Sequence, residues 1–178
     1  MDLGIRGRKA LVCASSQGLG YACALALAQE GCEVWLNGRD AAKLTAAVER
    51  LRAETGATVH GAVADLVTDA GRSALLAACP EPDILVNNNA GPPPGQLADW
   101  DYEAWIAALE ANLLTGALLL RAVLPGMRSR RWGRIVAINS DAARTATGMG
   151  LCAYGAAKAA ALGFIRNLSG EVGRHGVT

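Results

Sequence analysis

Tyr154 and Lys158 stand four residues apart in Tyr154-Gly155-Ala156-Ala157-Lys158, at the head of a run rich in Ala and Leu. On a helix, positions i and i+4 share a face, so a phenol and an ammonium can occupy one site. A free tyrosine has a pKa of ~10 and is a poor acid or base near neutrality. A neighbouring cation favours the phenolate and brings the group toward the working range of proton transfer. Taken alone, the same spacing fits an ordinary pair on a helix surface.

A second chemical feature lies near the start, in Cys13-Ala14-Ser15-Ser16-Gln17-Gly18-Leu19-Gly20. Glycines in such a turn let backbone N–H groups approach a phosphate at a helix N-terminus, where the helix dipole favours an anion. Ala14 stands where a tight turn prefers glycine, and an ordinary strand-to-helix turn built of small residues is the alternative. Further on, the stretch Asn37-Gly38-Arg39 ends a strand. In an NAD site the end of that strand supplies an acid for the ribose 2′-OH. Here Gly38 removes the acid and Arg39 adds a planar fork suited to a 2′-phosphate, which points to NADP(H). The alternative is a solvated Arg at a helix start.

The elements that must position these residues alternate along the chain. Short apolar runs predict strands at Ala10–Ala14, Glu33–Asn37, Thr58–Val63, Asp83–Asn87 and Arg134–Asn139. Helices are predicted over Tyr21–Glu30, over Ala41–Thr55 with Asp40 as its N-cap and Gly56 beyond its end, over Thr68–Cys79, and from about Asp99. A long apolar helix covers Asn112–Ser129 and is expected to break or kink at Pro125. Three prolines exclude regular structure from Asn88–Gln96, Ser140–Gly150 reads as a loop, and Ala153–Val172 is the last helix. Nearly continuous apolar strands alternating with helices mark a parallel sheet covered on both faces.

Bulk properties narrow the function class. The chain has 178 residues, 52% hydrophobic and 19% charged, which suits one globular domain spanning residues 1–178. A net charge of +1 gives no basic field for nucleic acid. The run Ala10–Ala14 is too short for a signal segment, and Arg121 cuts the apolar run Gly116–Leu120, so no membrane partner is expected. Cys13, Cys23, Cys32, Cys79 and Cys152 are odd in number and scattered, which suits reduced thiols in a cytoplasm. His60 and His175 have no ligand spacing, so no metal site is expected.

Taken together, several pieces resemble the short-chain dehydrogenase/reductase family, from Gly7 to Thr178 and in the family's order. These are the glycine turn, Asp65-Leu66, Asn87-Asn88-Asn89-Ala90-Gly91, Asn112, Ser140, and Tyr154 with Lys158. The resemblance implies a doubly wound Rossmann-type sheet. It implies that Tyr154 exchanges a proton with the substrate oxygen while Lys158 tunes it and binds the nicotinamide ribose. It further implies that Ser140 holds the carbonyl oxygen, that Asn112 anchors a water of a proton relay, and that Asp65 meets the adenine. The implied cofactor is NADP(H), contacted by Ala14, Ser15, Ser16, Gln17, Gly18, Leu19, Gly20, Arg39, Asp65, Leu66, Asn88, Ala90, Gly91, Tyr154 and Lys158. The substrate is a small carbonyl or alcohol. The proline-rich loop and the Ser-Ser-Gln-Gly turn are similar to 3-oxoacyl-(acyl carrier protein) reductases.

The sequence also departs from the family. Cys13-Ala14 replaces Thr-Gly at the head of the turn. The Asn-rich motif fits in two registers, one through Asn87 and Asn88, the other through Asn88-Asn89-Ala90-Gly91. Ser140 lies fourteen positions before Tyr154, one more than is usual in the family. An ungapped count puts Asp141 at the serine position; Ser140 is preferred, because an ionised aspartate cannot donate. The chain stops where family members continue, at what reads as the entry to a further strand, so the last strands of the sheet are expected to be missing. The fifth strand would then be a bare edge and catalysis weak. A homodimer or homotetramer through the two long helices is expected. Two rivals are a non-catalytic NADP(H)-binding or interaction module and a Rossmann-like methyltransferase, which leaves Tyr154 and Lys158 unexplained.

Overall fold

The apolar runs form five parallel strands in a computed structural model that describes residues 2–89, 91, 95–145 and 150–178. The strands are β1 (Lys9–Val12), β2 (Glu33–Gly38), β3 (Val59–Val63), β4 (Ile84–Asn87) and β5 (Arg134–Ala137), in the spatial order β3-β2-β1-β4-β5. Successive side chains leave a strand on opposite faces. Ala10, Val12, Val34, Leu36, Ile84 and Val86 therefore meet α1 (Gly18–Gln29) and α2 (Ala41–Thr55). Leu11, Trp35 and Leu85 point the other way, into a core with α3 (Asp69–Ala78), α5 (Thr115–Ser129) and α6 (Cys152–Val172). This is the doubly wound α/β sheet the sequence predicts. The chain reverses direction across the sheet between β1 and β4, and in open sheets of this kind ligands bind in the crevice at such a switch point.

Local chemistry sets the helix ends. Asp40 caps α2 by accepting the Lys43 N–H at 3.0 Å, and Gly56 closes it with φ +68°. Thr68 caps α3 through the Gly71 N–H at 3.0 Å.

Three expectations need correction. First, α5 runs through Pro125 without a break, because Leu119, Leu120, Val123, Leu124 and Met127 anchor it on the sheet. A separate irregularity lies earlier. The helix α4 (Tyr102–Leu109) passes into a wide π-helical turn at Glu110–Leu114 before α5.

Second, the continuous helix Tyr102–Ser129 is 28 residues long, and by length and composition alone it is long and apolar enough to cross a membrane. Counting only the unbroken apolar run missed this. Its buried face packs in the core described above.

Third, β5 is not a bare edge along its whole length. Ile135 N–H donates to the Thr178 carbonyl at 2.8 Å and Thr178 N–H to the Gly133 carbonyl at 3.1 Å, so Val177 and Thr178 pair with the start of β5. Strand β5 also ends two residues early, because Asn139 leaves the ladder to make side-chain bonds.

Candidate active site

Helix α6 places Tyr154 and Lys158 one turn apart at its N-terminal end. Lys158 is only 5% exposed, its Nζ donates to the Ile138 carbonyl at 3.0 Å, and it lies 5.7 Å from the centre of the Tyr154 ring. Burial pushes the Lys158 pKa down from its ordinary value. The chain leaving β4 lies against the tyrosine: a Cβ at Gly91 would stand 3.0 Å from Tyr154 Cε2.

The Tyr–Lys end of α6 is tied to the end of β5 by a residue that motif reading passed over. Asn139 Nδ2 donates to the Lys158 carbonyl at 3.2 Å, and Asn139 Oδ1 accepts the Ser140 N–H at 2.8 Å. Ser140 opens a short 3₁₀ turn, Asp141–Ala143, that packs on α6, where a Cβ at Gly155 would lie 3.1 Å from the Ala142 carbonyl oxygen. The Ser140 hydroxyl is within 3.1 Å of Asp141 Oδ1 and accepts the Ala142 N–H at 3.2 Å. Ser140, Asp141, Arg144 and Thr145 line an open cleft.

The wide turn delivers Asn112. Its Nδ2 donates to the Ala108 carbonyl at 3.0 Å, while its Oδ1 is buried without a partner among the described residues. Asn89 Nδ2 holds the neighbouring Ala111 carbonyl at 2.9 Å. Asn112, Lys158, Asn89, Ile138 and Phe164 surround a cavity of about 20 Å³. That matches one water molecule, which needs roughly 10–15 Å³ and two or more polar partners.

The glycine turn sits at the other end of the crevice. Ala14 takes φ +45° and Gly18 φ +61°. Gly20 has no room for a side chain, since a Cβ there would overlap the Ala14 carbonyl oxygen. Ser15 is wholly buried: its Oγ donates to the Val12 carbonyl at 2.7 Å and accepts the Asn37 N–H at 3.0 Å. Its hydroxyl is thus spent on the fold. Leu19 is exposed. Ala14, Ser16, Gln17 and Gly18 face Gly38, Arg39, Asp65, Leu66 and Asn88 across a cleft of about 300 Å³. Asn88 Nδ2 closes the floor on the Ala14 carbonyl at 3.2 Å and the Cys13 carbonyl at 3.4 Å.

Arg39 is exposed at the rim and makes no ion pair among the described residues, and Asp65 bends its own loop by accepting the Val67 N–H at 3.2 Å. The Leu66 side chain is in the core, so it supports the cleft from beneath. Ala90 lies outside the described residues, as do Pro92–Pro94 and residues 146–149. Cys13 is inert, its thiol pushed up to about 12 by burial.

Asn37 is the second residue that motif reading passed over. Only 2% exposed, it accepts the Ala14 N–H at 3.2 Å and donates to the Ala62 and Ala64 carbonyls, each at 3.1 Å. It joins the glycine turn, β2 and the end of β3. The available signal was positional: β2, β4 and β5 each carry Asn within two residues of their C-terminal ends.

The residues fit a phosphate-bearing dinucleotide. Amides of a helix start border the cleft, a Cβ is excluded at Gly20, Gly38 carries no acid, and an exposed guanidinium stands at the rim. Comparison with known proteins agrees. The family model described as short chain dehydrogenase matches residues 8–178. An uncharacterized oxidoreductase YvaG of Bacillus subtilis (strain 168) is 37% identical over 144 residues, 80% of this chain and 54% of that protein. The (2S)-[(R)-hydroxy(phenyl)methyl]succinyl-CoA dehydrogenase subunit BbsD of Thauera aromatica is 36% identical over 99% of this chain and 71% of its own length. The solved L-sorbose reductase of Gluconobacter frateurii, complexed with NADPH and L-sorbose, superposes with a TM-score of 0.93 at 30% identity, over 99% of this chain and 68% of that one. The chain therefore spans between about half and about seven tenths of these relatives. With its parallel sheet, its glycine turn and its Tyr154–Lys158 pair, the chain belongs to the short-chain dehydrogenase/reductase family.

Proposed function

We propose that the protein interconverts a carbonyl and a secondary alcohol with NADP(H). The observation that carries this reading is buried Lys158, which lies 5.7 Å from the Tyr154 ring and, with Asn112, lines one water-sized cavity. When bound, the nicotinamide supplies or accepts the hydride. The chain's own residues manage geometry and the proton. Tyr154 Oη exchanges a proton with the substrate oxygen. Lys158 holds positive charge beside it and, with Asn112 Oδ1, borders the cavity through which that proton is restored. Ser140 contacts the substrate oxygen. The amides at the start of α1 face the phosphates, and Asp65 lies where an adenine would rest. Arg39 favours the 2′-phosphate and so NADP(H) over NAD(H).

The substrate panel that tests this reading includes 3-oxoacyl thioesters, simple ketones and sugar ketones. Tyr154→Phe is expected to lower turnover by roughly 10²-fold or more, as loss of a general acid does, while NADPH affinity stays unchanged. Ordinary turnover in that variant refutes the assignment. Arg39→Asp is expected to reverse the preference between NADPH and NADH in a tryptophan-quenching titration. Equal affinities in the unmodified protein refute the cofactor reading.

All five cysteines are free thiols, as a reducing cytoplasm requires. Tyr102, Ile106, Leu114 and Leu118 are exposed apolar side chains along the continuous helix Tyr102–Ser129, suited to a two-fold contact between copies. Light scattering distinguishes the dimer or tetramer this implies from a monomer, which would refute it.

A further inference from the structure

A serine hydroxyl has one proton to donate and two lone pairs to accept with. Ser140 has committed two of these three. The Ala142 N–H donates to its Oγ at 3.2 Å, and Asp141 Oδ1 lies 3.1 Å away. An ionised carboxylate has no proton to give, so the hydrogen between the two belongs to Ser140 and points at Asp141. Hydrogen bonds to a charged acceptor are the stronger kind. Asp141 is itself held in place: Oδ1 also accepts the Ala142 N–H at 2.9 Å, and its carbonyl accepts the Arg144 and Thr145 N–H groups at 2.8 and 3.0 Å. Among the described residues, what Ser140 has left for a ligand is a single lone pair.

We propose that Asp141 is a positioning residue that fixes Ser140 as a hydrogen-bond acceptor, so that the site holds an alcohol more tightly than the matching carbonyl compound. This rests on the oxidoreductase reading above. The O–H of an alcohol donates to the free lone pair of Ser140. A carbonyl oxygen only accepts, and finds no proton at Ser140 until the hydroxyl leaves Asp141. A serine without a neighbouring carboxylate is free to donate; here the next residue along the chain competes for its proton. The equilibrium constant of the reaction belongs to the reactants, so Asp141 cannot change the ratio of the two kcat/KM values at a given cofactor affinity. It changes how each ground state is held, and therefore moves KM and kcat separately.

The test uses the native protein and whichever matched ketone and secondary alcohol of the panel turn over fastest. KM and kcat are measured in both directions for the parent and for Asp141→Ala, Asp141→Val and Asp141→Asn, then for Ser140→Ala with and without Asp141→Ala. Asp141→Ala removes one hydrogen bond that is open to solvent, a change of about threefold to tenfold. The expected result is a rise in alcohol KM and a fall in ketone KM of that order. Asp141→Val repeats the result with a second side chain that cannot accept. Asp141→Asn, whose neutral amide oxygen accepts more weakly, falls between the parent and Asp141→Ala. In the Ser140→Ala background, Asp141→Ala has no further effect on the KM ratio.

An unmoved KM ratio in Asp141→Ala and Asp141→Val overturns the proposal. So does a shift that persists without Ser140, because Asp141 would then act on the ligand directly. Failure of the underlying reading looks different: Tyr154→Phe keeps ordinary turnover, or no pair turns over in the parent, and both readings fall together.

Discussion

Gly20→Ala probes how the glycine turn holds α1 against the sheet. A Cβ at Gly20 would overlap the Ala14 carbonyl oxygen and stand 2.9 Å from Ser15 Cα and 3.0 Å from the Ala14 carbonyl carbon. All three are backbone atoms, so no side chain can rotate aside. The obstruction is also pinned, since Asn88 Nδ2 holds the Ala14 carbonyl and Asn37 Oδ1 holds the Ala14 N–H, each at 3.2 Å. Carbon atoms rest about 3.5–4.0 Å apart, so the helix start must retreat by roughly half an ångström or more. Overpacking of this kind costs about 1–3 kcal/mol. Alanine's better helix propensity offsets at most about 1 kcal/mol. The expected net loss is near 1 kcal/mol, or about 2–4 °C in Tm for a chain of this size. The retreat also withdraws the start of α1 at Gly18 from the cleft, so NADPH affinity should fall with stability. Thermal unfolding by circular dichroism and an NADPH fluorescence titration read the two effects. A Gly20→Ala protein of parental Tm and parental NADPH affinity would refute the close-approach reasoning.

Ala14→Gly should act in the opposite sense. Ala14 sits at φ +45°, a conformation that costs a residue with a Cβ about 1–2 kcal/mol, while the added freedom of glycine in the unfolded chain returns about 0.4–1 kcal/mol. The urea midpoint should therefore rise by an amount equivalent to about 0.5–1 kcal/mol at unchanged slope, and a lower midpoint would show that the turn is not strained. Lys158→Met addresses pH. Burial lowers the folded-state pKa of Lys158 below the 10.5 of an unperturbed lysine, so the unfolded chain binds that proton more tightly. The penalty is fully present below the folded pKa and is relieved as pH rises toward the unfolded value. The variant should be more stable than the parent at neutral pH and should lack that alkaline rise; identical slopes in urea melts across the alkaline range would contradict the assignment.

Much of this architecture was legible because it depends on local signals. Helix α2 carries its own cap at Asp40 and its own stop at Gly56, and both act as their chemistry demands. The alternation of β1 and β2 residues between two cores follows from strand geometry alone. What was missed depends on partners distant in sequence. Asn37 and Asn139 look like ordinary polar residues at strand ends, and become structural ties only once β3 and α6 are brought beside them. Pro125 does not end α5, because its neighbours Leu124 and Met127 are buried on the sheet. Glu110–Leu114 contains neither Pro nor Gly to announce a wide turn. Ser140 was placed at the right end of β5, but its commitment to Asp141 is a matter of hydrogen-bond directions that spacing cannot reveal.

The wide turn at Glu110–Leu114 has a consequence for helical phase. Eight residues of regular α-helix would leave Ile106 and Leu114 about 80° apart around the axis. A π turn takes one residue more per revolution, which absorbs most of that offset and brings the two into line. Tyr102, Ile106, Leu114 and Leu118 then form one outward stripe, in keeping with the exposure of all four. Deleting one residue from Glu110–Leu114 would turn the two halves of the helix against each other by about 100°, removing Asn112 from its cavity and splitting the stripe in the same step. The interior position of one asparagine and the alignment of an exterior surface are thus a single geometric quantity, set by one extra residue in a helix.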